Sequence, residues 1–185
     1  MSPRTGLLFL GAPAVPEMVS IAQRAEAAGF ESAWVAETRL TRDAMTPAAA
    51  IALGTERLRV GTGIVNVYTR NPVLLALTFA TLDEIAPGRI VMGLGAGSPL
   101  VLAPQGITFD RPLTRLREYC EVIPRLLAGE AVTTAGTMSG LMRRESRTCW
   151  RAVAGSGRGR ASLYISRRRG RAQWSTPAKS RTGCS

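Results

Sequence analysis

Histidine is absent from all 185 residues. That excludes a Ser-His-Asp or Cys-His arrangement and leaves no imidazole to bind a metal or to move a proton near neutral pH. Cysteine is scarce: Cys120, Cys149 and Cys184 are too few and too far apart for a zinc site or a disulfide framework, so no metal ligands are assigned and a reducing, cytoplasmic setting is expected. Aromatic residues make up 5% of the chain, and no apolar run reaches the length of a membrane span. The opening MSPRTGLLFLGAP also lacks the apolar stretch of a signal sequence. These shortages point to a soluble chain without a membrane partner.

Acidic residues are scarce in one region only. Residues 1–136 hold 12 Arg against 12 Asp and Glu, whereas residues 137–185 hold 11 Arg, Lys179 and the single acid Glu145. The formal charge of +11 therefore belongs to the tail. Such a segment invites comparison with a nucleic-acid-binding arm, whose binding would be steeply salt-dependent. It also has too few large apolar residues to bury, so disorder is expected there.

What the first part does contain is a repeating grammar. An apolar strand at Thr5–Leu10, expected to be buried on both faces, is followed by a helix that Pro16 opens and Gly29 closes, with Met18, Ile21, Ala22, Ala25 and Ala28 at helical spacing. The pattern recurs as strand Ser32–Ala36 with an alanine-rich helix to Leu53, then strand Leu58–Val65 with a helix from Pro72 marked by Leu75, Phe79, Leu82 and Ile85. Arg89–Leu94 is the fourth strand. A fourth helix spans Pro112–Leu127, with Leu113, Leu116, Cys120, Ile123 and Leu127 on one side. Apolar strands alternating with helices imply a parallel sheet with right-handed crossovers. Four such units make half of an eightfold barrel or most of a small open sheet, and periodicity does not separate the two.

Chemistry in parallel sheets gathers where the strands end. GLGAG (Gly93–Gly97) leaves the fourth strand, either as a tight turn or as a place where bare backbone approaches a phosphate or a ring; Ser98 breaks the dinucleotide fingerprint and Pro99 follows without a clear helix start. GTGIVNVYTRNP (Gly61–Pro72) brings Asn66, Tyr68, Thr69 and Arg70 together at the third strand's exit, as a polar loop or as a site. Glu37 leaves the second strand, where it could orient a ligand or pair with Arg39 or Arg42 at a solvated rim. Trp34, inside a strand, is expected in the core. Arg57, Arg59 and Arg89 sit at the opposite, stabilising end.

Together GFESAWVAE, TERLRVGTGIVNVYTRNP, ATLDEIAPGRIVMGLGAGSP and FDRPLTRLREYCEVIPRLLAGE resemble the luciferase-like superfamily of flavin- and coenzyme F420-dependent oxidoreductases. They look closest to its F420-dependent branch, which includes methylenetetrahydromethanopterin reductases. The resemblance covers about residues 5–135. It implies an α/β fold comprising the first four β/α units of a TIM-type (β/α)8 barrel, hence a domain at residues 1–136 and a basic, low-complexity tail at 137–185. It further implies hydride transfer between a deazaflavin or flavin and a small organic substrate, with F420 as cofactor and FMN-dependent monooxygenation as the alternative. Carried onto this sequence, the cofactor-binding positions are Glu37, Gly63, Ile64, Asn66, Thr69, Arg70, Gly95 and Gly97, with a non-prolyl cis peptide near Gly63-Ile64. No catalytic residue follows. Where the family often has histidine, this chain has Thr38 and Asn71.

An eightfold barrel takes roughly 250 residues or more. Four units leave the sheet's edges unpaired and its inner face wet, so a truncated and inactive half-barrel, or two copies joined as a barrel-like homodimer, is the expectation. A shifted reading frame from about residue 137 accounts for the tail: one synonymous codon choice for Arg167–Ser185, read two bases later, gives ATGPRAVEHAGEVADGVL, which is similar to the family's next strand–helix unit. On that reading the arginines are a by-product of codons and nucleic acid is not a partner. Sequencing the gene checks this: family-like codons are expected in the shifted frame, and their absence from every frame overturns it.

Overall fold

A computed structural model describes residues 5–38, 41–130 and 132 in full, and the backbone of Ser162–Ile165. The strands are β1 (Gly6–Phe9), β2 (Ser32–Val35), β3 (Arg59–Thr62), β4 (Val65–Asn66), β5 (Ile90–Gly95) and β6 (Ser162–Ile165). Between them run α1 (Val15–Ala27), α2 (Met45–Gly54), α3 (Pro72–Ile85), the short α4 (Pro99–Leu102) with a 3-10 turn at Ala103–Gln105, and α5 (Pro112–Leu127). Every strand pairing is parallel.

The third strand is one line broken in two. Val65 lies five positions after Val60, yet their partners Leu94 and Ile90 are only four apart, so one extra residue bulges out between β3 and β4. The bulge falls at the cis peptide Gly63-Ile64, the bond anticipated from the sequence. Across the break the Thr62 hydroxyl donates to Gly93 O and accepts from Gly93 N, both at 2.9 Å. A Cβ on Gly93 would sit 1.8 Å from Thr62 O, so glycine is obligatory there.

Side chains sort onto two faces because strand residues alternate. Ala33 and Val35, Val60, then Ile90, Met92 and Leu94 join Met18, Ala22, Ile51, Leu75, Phe79 and Leu82 in one core beneath the helices. The opposite face carries Leu8, Trp34, Gly61 and Gly93. This is the wall of a barrel, with helices outside and strands inside.

Several expectations change. β1 is not buried on both faces: Leu8 is 54% exposed, since it points to the inner face while Phe9 meets the core. Trp34 is half-buried on that inner face, where its ring lies 2.7 Å from the position a Gly61 Cβ would take, and its Nε1 donates to Ser32 Oγ at 3.0 Å. α5 has the expected ends and most of the expected face: Leu116 and Ile123 are buried and Cys120 and Leu127 pack against the core, but Leu113 is exposed and Tyr119, Val122 and Leu126 join the buried side. α4 was not legible, although Ser98 caps it by accepting from Leu100 N and Pro99 is its first residue. β6 adds a strand inside the segment assigned to the tail; Leu163, Tyr164 and Ile165 are a local run of strand-favouring residues. Otherwise the tail, its frame and residues Arg39 and Leu40 lie outside the described residues.

The strands' N-terminal ends are tied by charge. Arg89 donates to Ala52 O, Leu58 O and Thr55 Oγ1, closing the end of α2. Glu26 Oε1 accepts the N–H groups of Arg57 and Leu58, both at 2.6 Å, and Glu56 N also donates to the carboxylate. Burial pushes the Glu26 carboxyl up, but these three backbone donors with the Arg57 charge outweigh it and hold it below its usual value of 4.5. A depressed folded pKa stabilises above the unfolded value and is lost as pH falls through the folded one. Glu26→Gln is therefore expected to cost about 1 kcal/mol at pH 7 in urea unfolding. Its difference from the parent should fade as the pH falls through the lowered folded-state pKa; a difference constant with pH would refute the charge as the cause.

Candidate functional site

At the C-terminal ends of β2, β4 and β5 the chain assembles a polar cluster around Glu37. The backbone holds it first: Gly63 N donates to Val35 O at 2.8 Å and Glu37 N to Ile64 O at 3.3 Å, so the exit of β2 is pinned to the bulge. The Glu37 carboxylate then uses both oxygens, accepting from Arg70 Nη1 at Oε1 and from Asn66 Nδ2 at Oε2, the latter at 3.2 Å. The side chains of Arg70 and Glu37 are 18% and 16% exposed. Glu37 thus has its partner on the next strand's exit loop and not at the rim with Arg42, because the β2 and β4 ends are brought side by side.

Asn66, 6% exposed, organises the loop. Its Oδ1 accepts from Tyr68 N and Thr69 N, both at 3.0 Å, and from Thr69 Oγ1 at 3.2 Å, an Asx-type turn that fixes the path to Arg70. Asn71 follows as N-cap of α3, accepting from Leu74 N at 2.8 Å.

Glu37, Asn66, Thr69 and Arg70 line one cavity of about 550 Å³ together with Thr38, Thr41 and Arg42 from the β2–α2 loop. Gly63, Ile64, Gly95 and Gly97 are not on its wall. They serve it by close packing: a Cβ on Gly95 would stand 2.6 Å from Ile64 Cδ1, and one on Gly97, at φ +74°, would stand 3.1 Å from Asn66 Cβ. Gly93, Gly95 and Gly97 of GLGAG each stand where a Cβ would meet protein atoms.

The β2–α2 loop was missed in the sequence. Arg42 donates to Pro13 O, linking it to the β1–α1 loop. Asp43 Oδ1 accepts from Met45 N and Thr46 N, both at 2.9 Å. An aspartate three residues before Thr46 at a helix start was the available signal.

A luciferase-like monooxygenase family model matches residues 3–158, past the boundary drawn at 136. The chain belongs to this family. Across 133 residues it is 35% identical to a 5,10-methylenetetrahydromethanopterin reductase of Methanolobus tindarius, covering 72% of this chain and 41% of that protein. It is 38% identical over 126 residues to an F420-dependent glucose-6-phosphate dehydrogenase of Beutenbergia cavernae, covering 61% and 37%. The coenzyme F420-dependent tetrahydromethanopterin reductase structure from Methanopyrus kandleri superposes with a TM-score of 0.66 at 30% identity, over 72% of this chain and 42% of that one. The family fold places the described strands as the first units of an eightfold barrel, and the chain spans about two-fifths of these relatives' length. Among the described residues no helix is long and apolar enough to cross a membrane.

The luciferase-like cluster depends unequally on its members. Asn66→Ala removes the acceptor for three donors and one donor to Glu37, and is expected to cost about 2–3 kcal/mol in urea unfolding. Thr69→Ala removes one hydroxyl bond, for about 0.5–1 kcal/mol. Equal losses would show that Asn66 does not organise the loop.

Proposed function

We propose that this chain contributes the ring-binding half of an F420-dependent oxidoreductase site, in which a small organic molecule exchanges a hydride with the cofactor. The observation that carries the reading is the Glu37–Asn66–Arg70 cluster standing beside the Gly63-Ile64 bulge at the C-terminal ends of parallel strands. The F420 dependence named for two of the relatives supports the choice of cofactor.

The residues present fit a flat heterocycle with one apolar face and a polar edge. Gly63 offers backbone without a side chain, flanked by Leu8 and Trp34, whose nearest atoms lie 3.2 and 3.4 Å from where its Cβ would be. The polar edge would meet Asn66, Thr69 and Arg70. A deazaflavin, when bound, supplies the hydride-carrying ring.

The chain's own part is positioning. Glu37 is neutralised by Arg70 and hydrogen-bonded by Asn66, so it acts as an anchor that fixes the guanidinium, leaving the other N–H groups of Arg70 to orient an oxygen-bearing edge. Thr38 and Thr41, whose hydroxyls are 3.0 Å apart, add neutral donors and acceptors to the same cavity. This chain brings no imidazole to the site; the acidic side chains it places on the cavity wall are Glu37 and Asp43.

Titration with F420 and, separately, FMN, followed by absorbance and fluorescence, tests the reading. Saturable binding of F420 is expected, weakened at least tenfold in Arg70→Met. Preference for FMN would move the chain to the monooxygenase side of the family, and binding of neither would overturn the proposal.

A further inference from the structure

We propose that Arg115 and Tyr119, four residues apart on α5, are positioning residues that hold the Asn66–Arg70 loop in the form in which Arg70 reaches Glu37. Its bearing on ligand affinity rests on the site proposed above. The claim about the loop itself does not.

The loop leaves the sheet after Val67, whose N–H still donates to Gly95 O at 3.2 Å. Beyond that point its outward carbonyls are met by side chains of α5. Tyr119 Oη donates to Arg70 O at 2.8 Å, and Arg115 Nη1 reaches Val67 O at 3.4 Å. The two bonds grip Val67 and Arg70, on either side of the Tyr68 and Thr69 amides that Asn66 holds from the inside. Arg115 also lays its guanidinium carbon 4.7 Å from the centre of the Tyr68 ring, within range of a cation–π contact. Tyr68 is fixed on its other sides by Phe109, with ring centres 5.3 Å apart, and by its hydroxyl, which donates to Asp110 O. The loop is therefore held between Asn66 within the site and α5 outside it.

Two details favour a positioning role over ordinary packing. Tyr119 is 1% exposed, and burial raises its pKa despite the neighbouring Arg115 charge, so the hydroxyl remains a donor. Arg115 leaves its buried Nε without a hydrogen-bond partner while its Nη1 reaches the loop carbonyl of Val67, so its polar reach is spent on the loop. The i, i+4 spacing puts both groups on one helix face, so a shift of α5 would move both ends of the loop together.

Tyr119→Phe keeps the ring and removes the hydroxyl, with its bond to Arg70 O and its side-chain hydrogen bond with Arg115. Hydrogen exchange of the Tyr68 and Thr69 amides is expected to accelerate about tenfold, with the amides of α1 and α2 unchanged. Arg115→Lys should accelerate the same amides less than Arg115→Met does, because lysine retains the cation. Arg117→Ala, exposed on the same helix, is the control. In the same proteins F420 affinity should fall about five- to tenfold for Tyr119→Phe while the thermal midpoint of the core moves little. Unchanged loop exchange, or equal acceleration of every amide, overturns the proposal. If the parent binds no cofactor, the functional reading fails, and the exchange comparison still decides whether α5 holds the loop.

Discussion

One hydroxyl holds the architecture together where the sheet would otherwise come apart. At the bulge between β3 and β4 the backbone ladder to β5 is interrupted, and Thr62 Oγ1 substitutes for it by bonding both the N–H and the C=O of Gly93. A buried break without such a substitute would leave polar groups unpaired at a cost of about 1–3 kcal/mol each. The close approach that makes the substitution feasible also dictates composition. Gly93 has no room for a side chain beside Thr62, and Gly61 and Gly95 none beside Trp34 and Ile64. Glycine in these strands is a packing requirement before it is a functional one.

The site follows from that break. Because one extra residue is accommodated before Val65, the strand's exit swings Asn66 and Arg70 against the end of β2, where Ile64 O accepts from Glu37 N. The ion pair is partly sheltered and the amide of Asn66 ties it to the turn, so charge, turn and strand end form one unit. At the other end of the strands Glu26 and Arg89 fasten loops by bonding backbone. One end is fastened by these bonds and the other carries the larger, Glu37-lined cavity, as expected of a barrel wall.

Legibility varied with the range of the interaction. Pro112 and Leu127 bound α5 in sequence and in structure alike, because helix starts, stops and periodicity are local. The buried face of α5 was legible in Leu116, Cys120, Ile123 and Leu127, but its limits were not: Leu113 is exposed and Tyr119, Val122 and Leu126 are buried, because where the face ends depends on the elements packed against it. Ser98-Pro99 is a helix start of one turn, too short for periodicity to reveal. Glu37, Asn66, Thr69 and Arg70 stood out in the sequence at the strand exits, whereas which of them bond to one another did not.

By itself the sequence determined the alternation of strand and helix, the parallel sheet, the even charge of residues 1–136 and the exclusion of imidazole chemistry, all of which are local or compositional. Tertiary structure alone decided that Glu37 pairs with Arg70 across 33 residues, that Trp34 covers glycines in place of filling the core, and that α5 reaches the exit loop through Tyr119. These depend on which strand ends become neighbours. Strand order and register settle that, and no spacing along the chain encodes them.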